Sequence, residues 1–322
     1  MGIEARASRR TFLVAAAGAT AGLAGLQATG TETRAPGEPL KISVFSKHLQ
    51  FLDWNGLAET ATEIGFDGVD LTVRPGGHVL PERVAEDLPR AVAIIRRAKL
   101  MVPMVTTGIV TASTPHAETI IRTISELGIP RYRWGGFQWS ERESIPDRLV
   151  ELKREAEQLA ELNAKYKICA MYHTHSGTEV GASIWDLWMI LKDLNHDFLG
   201  INYDFAHATI EGGLGGHLAS FRLAAPLIKG IAVKDFRWGK DEKGAWRIEW
   251  CPLGEGMVNV KRFLAMTREA EFSGTLQMHF EYPLGGAESG GRSITMDRDR
   301  IAAYMRKDLV TLRGWLREAG LG

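Results

Sequence analysis

The chain has 322 residues, 45% of them hydrophobic and 24% charged, with 39 Lys plus Arg balancing 39 Asp plus Glu. That length suits one large core, such as a single α/β barrel. The zero net charge provides no global field for nucleic acid or an anionic membrane, so partners must be read from a local site.

The chain opens with Ser8-Arg-Arg-Thr-Phe-Leu13, an uncharged small-residue run from Val14 to Leu26, and then Leu26-Gln-Ala28. This stretch resembles a twin-arginine export signal. Its apolar run of about 13 residues is shorter than the roughly 20 that a spanning helix needs, so no stable membrane insertion is expected after signal removal. Residues 1–28 are the expected signal peptide, residues 29–39 a flexible leader, and residues 40–322 a catalytic domain in the periplasm or outside the cell. Cys169 and Cys251 are the only cysteines; beside predicted strands, they read as buried free thiols.

From Lys41 on, short β-branched or apolar runs alternate with helical periods, the pattern of βα units around a parallel sheet. The predicted strands are Lys41–Ser46, Phe66–Val73, Met101–Thr106, Arg131–Gly135, Lys167–Tyr172, Phe198–Asp204, Gly230–Lys234 and Gly274–Glu281. The predicted helices are Leu49–Ile64, Pro81–Ala98, Ala117–Leu127, Ile145–Ala164, Ile184–Leu194, Leu218–Leu227, Val258–Ala270 and Arg298–Glu318. Eight strands, each followed by a helix, predict a single (β/α)8 TIM barrel. An open doubly wound sheet is the alternative, but no Gly-x-Gly-x-x-Gly follows the first strand. Residues 237–250, with a polar turn between Trp-containing arms, predict a hairpin lid above the seventh strand.

In such a barrel the C-terminal strand ends share one mouth. Those ends carry Lys47 and His48; Arg74 and His78; Trp134; His173, His175 and, beyond them, Glu179; Asp204 and His207; Lys234 and Asp235; His279 and Glu281. Six of the nine histidines fall there. Imidazoles and carboxylates converging from different strands suit a divalent ion such as Mn²⁺, Co²⁺, Mg²⁺ or Zn²⁺ with open positions for substrate oxygens. Asp204, His173, His279, Glu281 and His207 are the candidate ligands. Bland readings stand beside these: a His279–Glu281 or Lys234–Asp235 ion pair, one of His173 and His175 positioning the other, and tryptophans as core or lid packing. Lys47, His48, His78, Trp134, His175, Glu179 and Arg237 are candidate substrate contacts, with Trp134 and Trp238 considered as sugar-stacking platforms.

The strand-six Asp-x-x-His, the strand-seven Lys-Asp, the Pro252-Leu-Gly-Glu-Gly-Met-Val258 loop and the strand-eight Glu resemble the sugar phosphate isomerase/epimerase family of xylose-isomerase-like barrels. His173-Thr-His-Ser-Gly-Thr178 is similar to a fifth-strand motif of inosose dehydratases, and the Tyr203–Gly213 and Glu281–Gly286 runs are similar to an exported subfamily. The resemblance implies a metal held from strands five to eight. The corresponding positions here are His173, Asp204, Ala232 and His279, so only the aspartate is unchanged and strand seven offers no imidazole. It further implies isomerisation, epimerisation or elimination on a keto-sugar, sugar acid or inosose through an enediolate, with His173 or Glu281 as base and Lys234 as acid. A non-catalytic carbohydrate-binding barrel is the alternative, favoured by Ala232, and a phosphodiesterase of endonuclease IV type a remote one. A small carbohydrate is the expected partner, and the chain is compatible with a homo-oligomer.

Overall fold

The computed structural model describes residues 38–322; the expected export signal and nearly all of the expected leader lie outside the described residues. Parallel strands β1 (Ile42–Phe45), β2 (Gly68–Val73), β3 (Val105–Thr107), β4 (Arg131–Trp134), β5 (Cys169–His173), β6 (Leu199–Asp204) and β7 (Ile228–Val233) follow in turn. An antiparallel hairpin, β8 (Asp235–Lys240) and β9 (Trp246–Cys251), precedes the last parallel strand, β10 (Thr275–Met278). The ring order is β1-β10-β7-β6-β5-β4-β3-β2, and the barrel closes with Ile42 opposite Leu276. The fold is therefore a single (β/α)8 barrel, and the predicted eight strands are the eight observed. Strand three is shorter than predicted because Pro103 has no N–H for a ladder; Met101 makes only an isolated bridge with Gly68.

The helices are α1 (Trp54–Ile64), α2 (Val84–Arg97), α3 (Ala117–Glu126), α4 (Ile145–Tyr166), α5 (Ile184–Leu191), α6 (Phe205–Gly212), α7 (Gly216–Ala224), α8 (Val260–Glu269) and α9 (Arg298–Glu318). Helix α1 starts later than predicted because the Asp53 carboxylate caps it, accepting from the Gly56 N–H at 2.8 Å. Helix α6 was not predicted: it starts directly after Asp204, which is its N-cap. Phe205 in α6 stacks on Phe263 in α8 with ring centroids 4.3 Å apart, which anchors this short helix against the outer layer. Among the described residues no helix is long and apolar enough to cross a membrane.

Successive strand side chains point to opposite faces, and here the two faces differ in chemistry. Ile42, Val44, Val69, Leu71, Val73, Val105, Tyr132, Trp134, Ala170, Tyr172, Leu199, Ile201, Tyr203, Ile231, Val233, Leu276 and Met278 belong to the large apolar cluster. That cluster fills the shell between barrel and helices. The alternate positions point into the barrel: Ser43, Phe45, Asp70, Thr72, Thr106, Arg133, Asn202, Asp204, Ala232 and Gln277. Met104, Cys169 and Met171 form a separate small apolar cluster among these alternate positions. Both cysteines are buried and free. Continuing each alternation past the strand ends puts Lys47, Arg74, His173, Lys234, His279 and Glu281 at the mouth.

The hairpin stands where it was predicted, and one carboxylate fastens its base. Asp235 accepts backbone N–H bonds from Phe236 at 2.9 Å, Gly254 at 2.9 Å, Gly256 at 3.0 Å and Val258 at 3.1 Å. Gly256 has to be glycine, because a Cβ there would overlap Asp235 Oδ1 and Phe236 O. The Lys234–Asp235 pairing considered from sequence does not form: neighbouring residues face opposite ways, and Asp235 is used by the loop while Lys234 turns into the barrel.

Candidate metal centre and active site

Asp204 divides its two oxygens between fold and site. Oδ1 accepts from the N–H groups of Ala206 at 2.9 Å and His207 at 3.0 Å, capping α6. Oδ2 is buried without a hydrogen bond. It lies 3.8 Å from His173 Nε2, itself a buried nitrogen without a hydrogen bond. The Lys234 ammonium is 3.2 Å from Oδ2, a charge contact that does not satisfy that oxygen as a hydrogen bond. His173, Asp204 and His279 form a group of potential ligand atoms that all lie within 4.8 Å of one another. Two neutral imidazoles and one carboxylate fit a divalent ion with open coordination positions. The two orphaned atoms are what such an ion would satisfy, since a buried polar atom left without a partner costs about 1–3 kcal/mol.

The imidazoles are held in the neutral form that ligation requires. Burial pushes His173 and His279 well below the usual histidine range; Arg133 adds to this at His173, and Lys234 at His279. Asn202 orients His173, its amide lying 3.0 Å from Nδ1. With the amide oxygen rather than the nitrogen turned to that atom, Nδ1–H donates and Nε2 presents its lone pair. Gly230 makes room for this amide, because a Cβ there would sit 2.6 Å from the amide atom that faces away from His173. Replacing Asn202 with Ala is expected to keep the barrel and weaken divalent-ion binding by about 10–100-fold. Isothermal titration of both proteins with Mn²⁺ checks this, and equal affinities would dismiss the role.

Three expected ligands or contacts have other partners. His207 Nε2 lies 2.8 Å from Lys234 Nζ, and its Nδ1 lies 2.8 Å from Ser176 Oγ. An ammonium can only donate, so Nε2 accepts and the ring proton sits on Nδ1, directed at Ser176. The lone pair an ion would need is thus taken up by Lys234. Glu281 is gripped by Lys47, whose Nζ donates to both carboxylate oxygens at 3.0 and 2.9 Å, so the His279–Glu281 pair considered from sequence does not form. Burial pushes the Glu281 carboxyl up, but Lys234, helped by His48 and Lys47, outweighs it and brings it down to about 2. His175 packs against His173 and His207 at 4.7 and 4.9 Å between ring centroids, and its Nδ1 is 3.4 Å from Glu179.

The remaining expected contacts divide between site and scaffold. His48 accepts the Phe280 N–H at Nε2, 3.0 Å, which ties the end of strand one to the end of strand eight. His78 lies 3.1 Å from Thr72 Oγ1 and is mostly buried, a loop fastener. Arg237 is exposed on the hairpin and pairs with Glu249 at 3.3 Å. Trp134 corrects the sequence reading: at 1% exposure it points outward into the apolar shell against Phe137 and Tyr172, so it offers no sugar platform. Trp238, on the hairpin, is 43% exposed and packs on Phe236. Trp250 presents an aromatic ring at the mouth, with Lys234 Nζ 4.5 Å from its centroid and the His207 ring 5.4 Å away. Sequence reading missed Trp250 and Arg133. For Arg133, strand parity between Tyr132 and Trp134 was the available signal.

The neutral histidines set a pH dependence of stability. His48 is brought down to about 3 by burial and His78 to about 4, and His173, His207 and His279 lie well below their usual range. The unfolded chain therefore binds more protons than the fold below about pH 6.5, and each group removes up to about 1.4 kcal/mol per pH unit as pH falls. Burial raises Asp70 to about 7 and Asp186 and Asp308 to about 6, which acts in the opposite sense in the same window. With His175 also depressed and Asp235 also raised by burial, six histidines outweigh four carboxyls, so the urea midpoint is expected to drop from pH 7 to pH 5. A midpoint flat or rising across that range would contradict this assignment of neutral imidazoles.

The chain belongs to the xylose isomerase-like TIM barrel family, whose model matches residues 58–304. Solved structures share the fold at low identity. The probable 3-DHS dehydratase AsbF of Bacillus anthracis, involved in petrobactin synthesis, is 18% identical with a TM-score of 0.61 over 84% of this chain and 99% of that one. The 3-keto-D-glucoside 4-epimerase YcjR of E. coli, in its apo form, is 14% identical with a TM-score of 0.61 over 85% of this chain and 99% of that one. A xylose isomerase-like TIM barrel protein from Mycobacterium smegmatis, in complex with magnesium, is 14% identical with a TM-score of 0.59 over 84% of this chain and 98% of that one. No curated protein matches the chain.

Proposed function

We propose that this protein is an exported, metal-dependent enzyme that rearranges a keto-sugar, an inosose or a related carbohydrate through an enediolate, as an isomerase, epimerase or lyase. The observation that carries this reading is the buried convergence of His173, Asp204 and His279, two of them with unsatisfied ligand atoms. Family membership supports it, as does the fold-level likeness to proteins named as a sugar epimerase and a dehydratase. An ion held there, Mn²⁺, Co²⁺, Mg²⁺ or Zn²⁺, would polarise a substrate carbonyl. Ala232, level with Asp204 in the β6–β7 register, cannot contribute a ligand. Lys234, two residues on, projects its ammonium beside Asp204 instead, where it can donate a proton to a developing alkoxide or stabilise its charge. His207 and Trp250 hold that ammonium in place. Glu281 is the mouth carboxylate outside the ligand group and serves as base once a substrate hydroxyl displaces Lys47 from it. The N-terminal Ser8–Leu13 pattern carries the export part of the proposal.

Metal analysis after chelator-free purification, followed by turnover of 3-keto-glucosides and inososes with and without a chelator, tests the reading. Near-stoichiometric divalent metal and chelator-sensitive turnover are expected. Metal below about a tenth of an equivalent, with no uptake on titration, would end it. A non-catalytic carbohydrate-binding barrel is the second reading, favoured by Ala232, and it predicts sugar binding with no turnover at any metal loading.

A further inference from the structure

The β2–β4 arc of the mouth holds two cations that the reading above does not use. Arg74, just past β2, and Arg133, on β4, both point inward by strand parity. Their guanidinium carbons lie 5.6 and 6.0 Å from the centroid of one ring, Phe45. Lys47 Nζ, which is paired with Glu281, lies 5.8 Å from the same centroid, and His279 of the metal-ligand group stacks on the ring at 4.7 Å. Arg133 is close enough to the centre to depress His173, His175, His207 and His279 electrostatically. Among the described residues neither guanidinium makes a side-chain hydrogen bond or ion pair.

Of the carboxylates whose charge reaches Arg133, Asp204 belongs to the ligand group and caps α6, and the other two are Asp70 and Glu281. Asp70 accepts from Thr106 Oγ1 with both oxygens at 2.9 Å, and burial raises its carboxyl to about 7, so it is a weak counter-charge. Glu281 is occupied by Lys47. Arg133 is brought down to about 10, first by burial and then by the Arg74 charge. Two desolvated like charges sharing one ring are unfavourable unless an anion sits between them. Guanidinium forks match the planar pair of oxygens of a carboxylate and the oxygens of a phosphate.

We propose that Arg74 and Arg133 form an oxyanion subsite beside the metal-ligand group, so that the sugar this barrel takes carries a carboxylate or a phosphate. The sugar part of this inference rests on the function proposed above; the anion part does not. Isothermal titration of the purified protein with D-glucuronate, D-glucose 6-phosphate and D-glucose tests it directly. The anionic sugars are expected to bind at least about ten-fold tighter than glucose, the worth of one charge-assisted hydrogen bond, with an advantage that shrinks as salt rises. Arg133→Gln should abolish that advantage and Arg133→Lys should keep part of it. If Arg133→Gln does not fold, Arg74→Gln, at the more open end of the pair, decides by the same readout. Whichever anion shows the larger advantage identifies the group. Equal binding of anionic and neutral sugars, or a preference untouched by the arginine changes, would overturn the subsite. Turnover of a neutral keto-sugar with no anion preference would remove only this inference; anion preference without metal or turnover would remove only the enzymatic reading.

Discussion

Asp204→Asn is expected to leave the barrel folded while reducing divalent-ion affinity and turnover by more than about 100-fold, beyond the range seen for outer-shell partners. The asymmetry of this carboxylate makes the substitution informative. An asparagine oxygen can still accept from Ala206 and His207 and cap α6, because Asn and Asp are comparable N-caps. What it cannot supply is the negative charge at the Oδ2 position facing His173 and Lys234. Asp204→Ala removes both functions and should cost about 1 kcal/mol more in stability for the lost cap. Chemical denaturation and metal titration on the two variants separate the roles. If Asp204→Asn retained wild-type turnover on a keto-sugar, the ligand assignment would fall; if it unfolded the protein, the cap and charge would have outweighed the site.

Much of this site was readable from strand ends. Asp204, His173, His279 and Lys234 each lie at or just past an apolar run whose alternation indicates which side chains turn inward. Barrel closure then brings them together without any need for sequence proximity. The same rule, applied with equal weight to β4, would have favoured Arg133 over Trp134, since Tyr132 and Trp134 share the apolar parity. Aromatic chemistry drew attention to the wrong face of that strand.

Other parts were hidden for physical reasons. The Lys47–Glu281 pair joins residues 234 apart and forms only because the first and last strands close the ring. Helix α6 is eight residues long and ends in a glycine run, so its helical period is too brief to read, and nothing in the sequence marks Asp204 as a cap as well as a site residue. His207 consequently looked like a second strand-end ligand. In the first turn of a helix its ring instead meets Lys234 and Ser176.

Lys234→Met should move two observables in opposite directions. Turnover is expected to fall by about 10²–10⁴-fold, the usual contribution of a positioned proton donor. Divalent-ion affinity should rise at least about ten-fold, because a unit charge about 4 Å away is worth about 4 kcal/mol at an effective dielectric constant of about 20, and this ammonium stands 3.2 Å from Asp204 Oδ2. The variant also frees His207: burial is the first cause of its depressed pKa and the Lys234 charge the second, so its imidazole should titrate closer to the normal range. Imidazole NMR across pH 5–8 reads that shift independently of activity. A parallel loss of turnover and metal affinity would make Lys234 a residue that orders the site, since breaking a buried charge pair costs about 3–5 kcal/mol. Turnover lost with tighter metal binding would show an ammonium that competes for Asp204 in the resting protein and acts on the substrate during reaction.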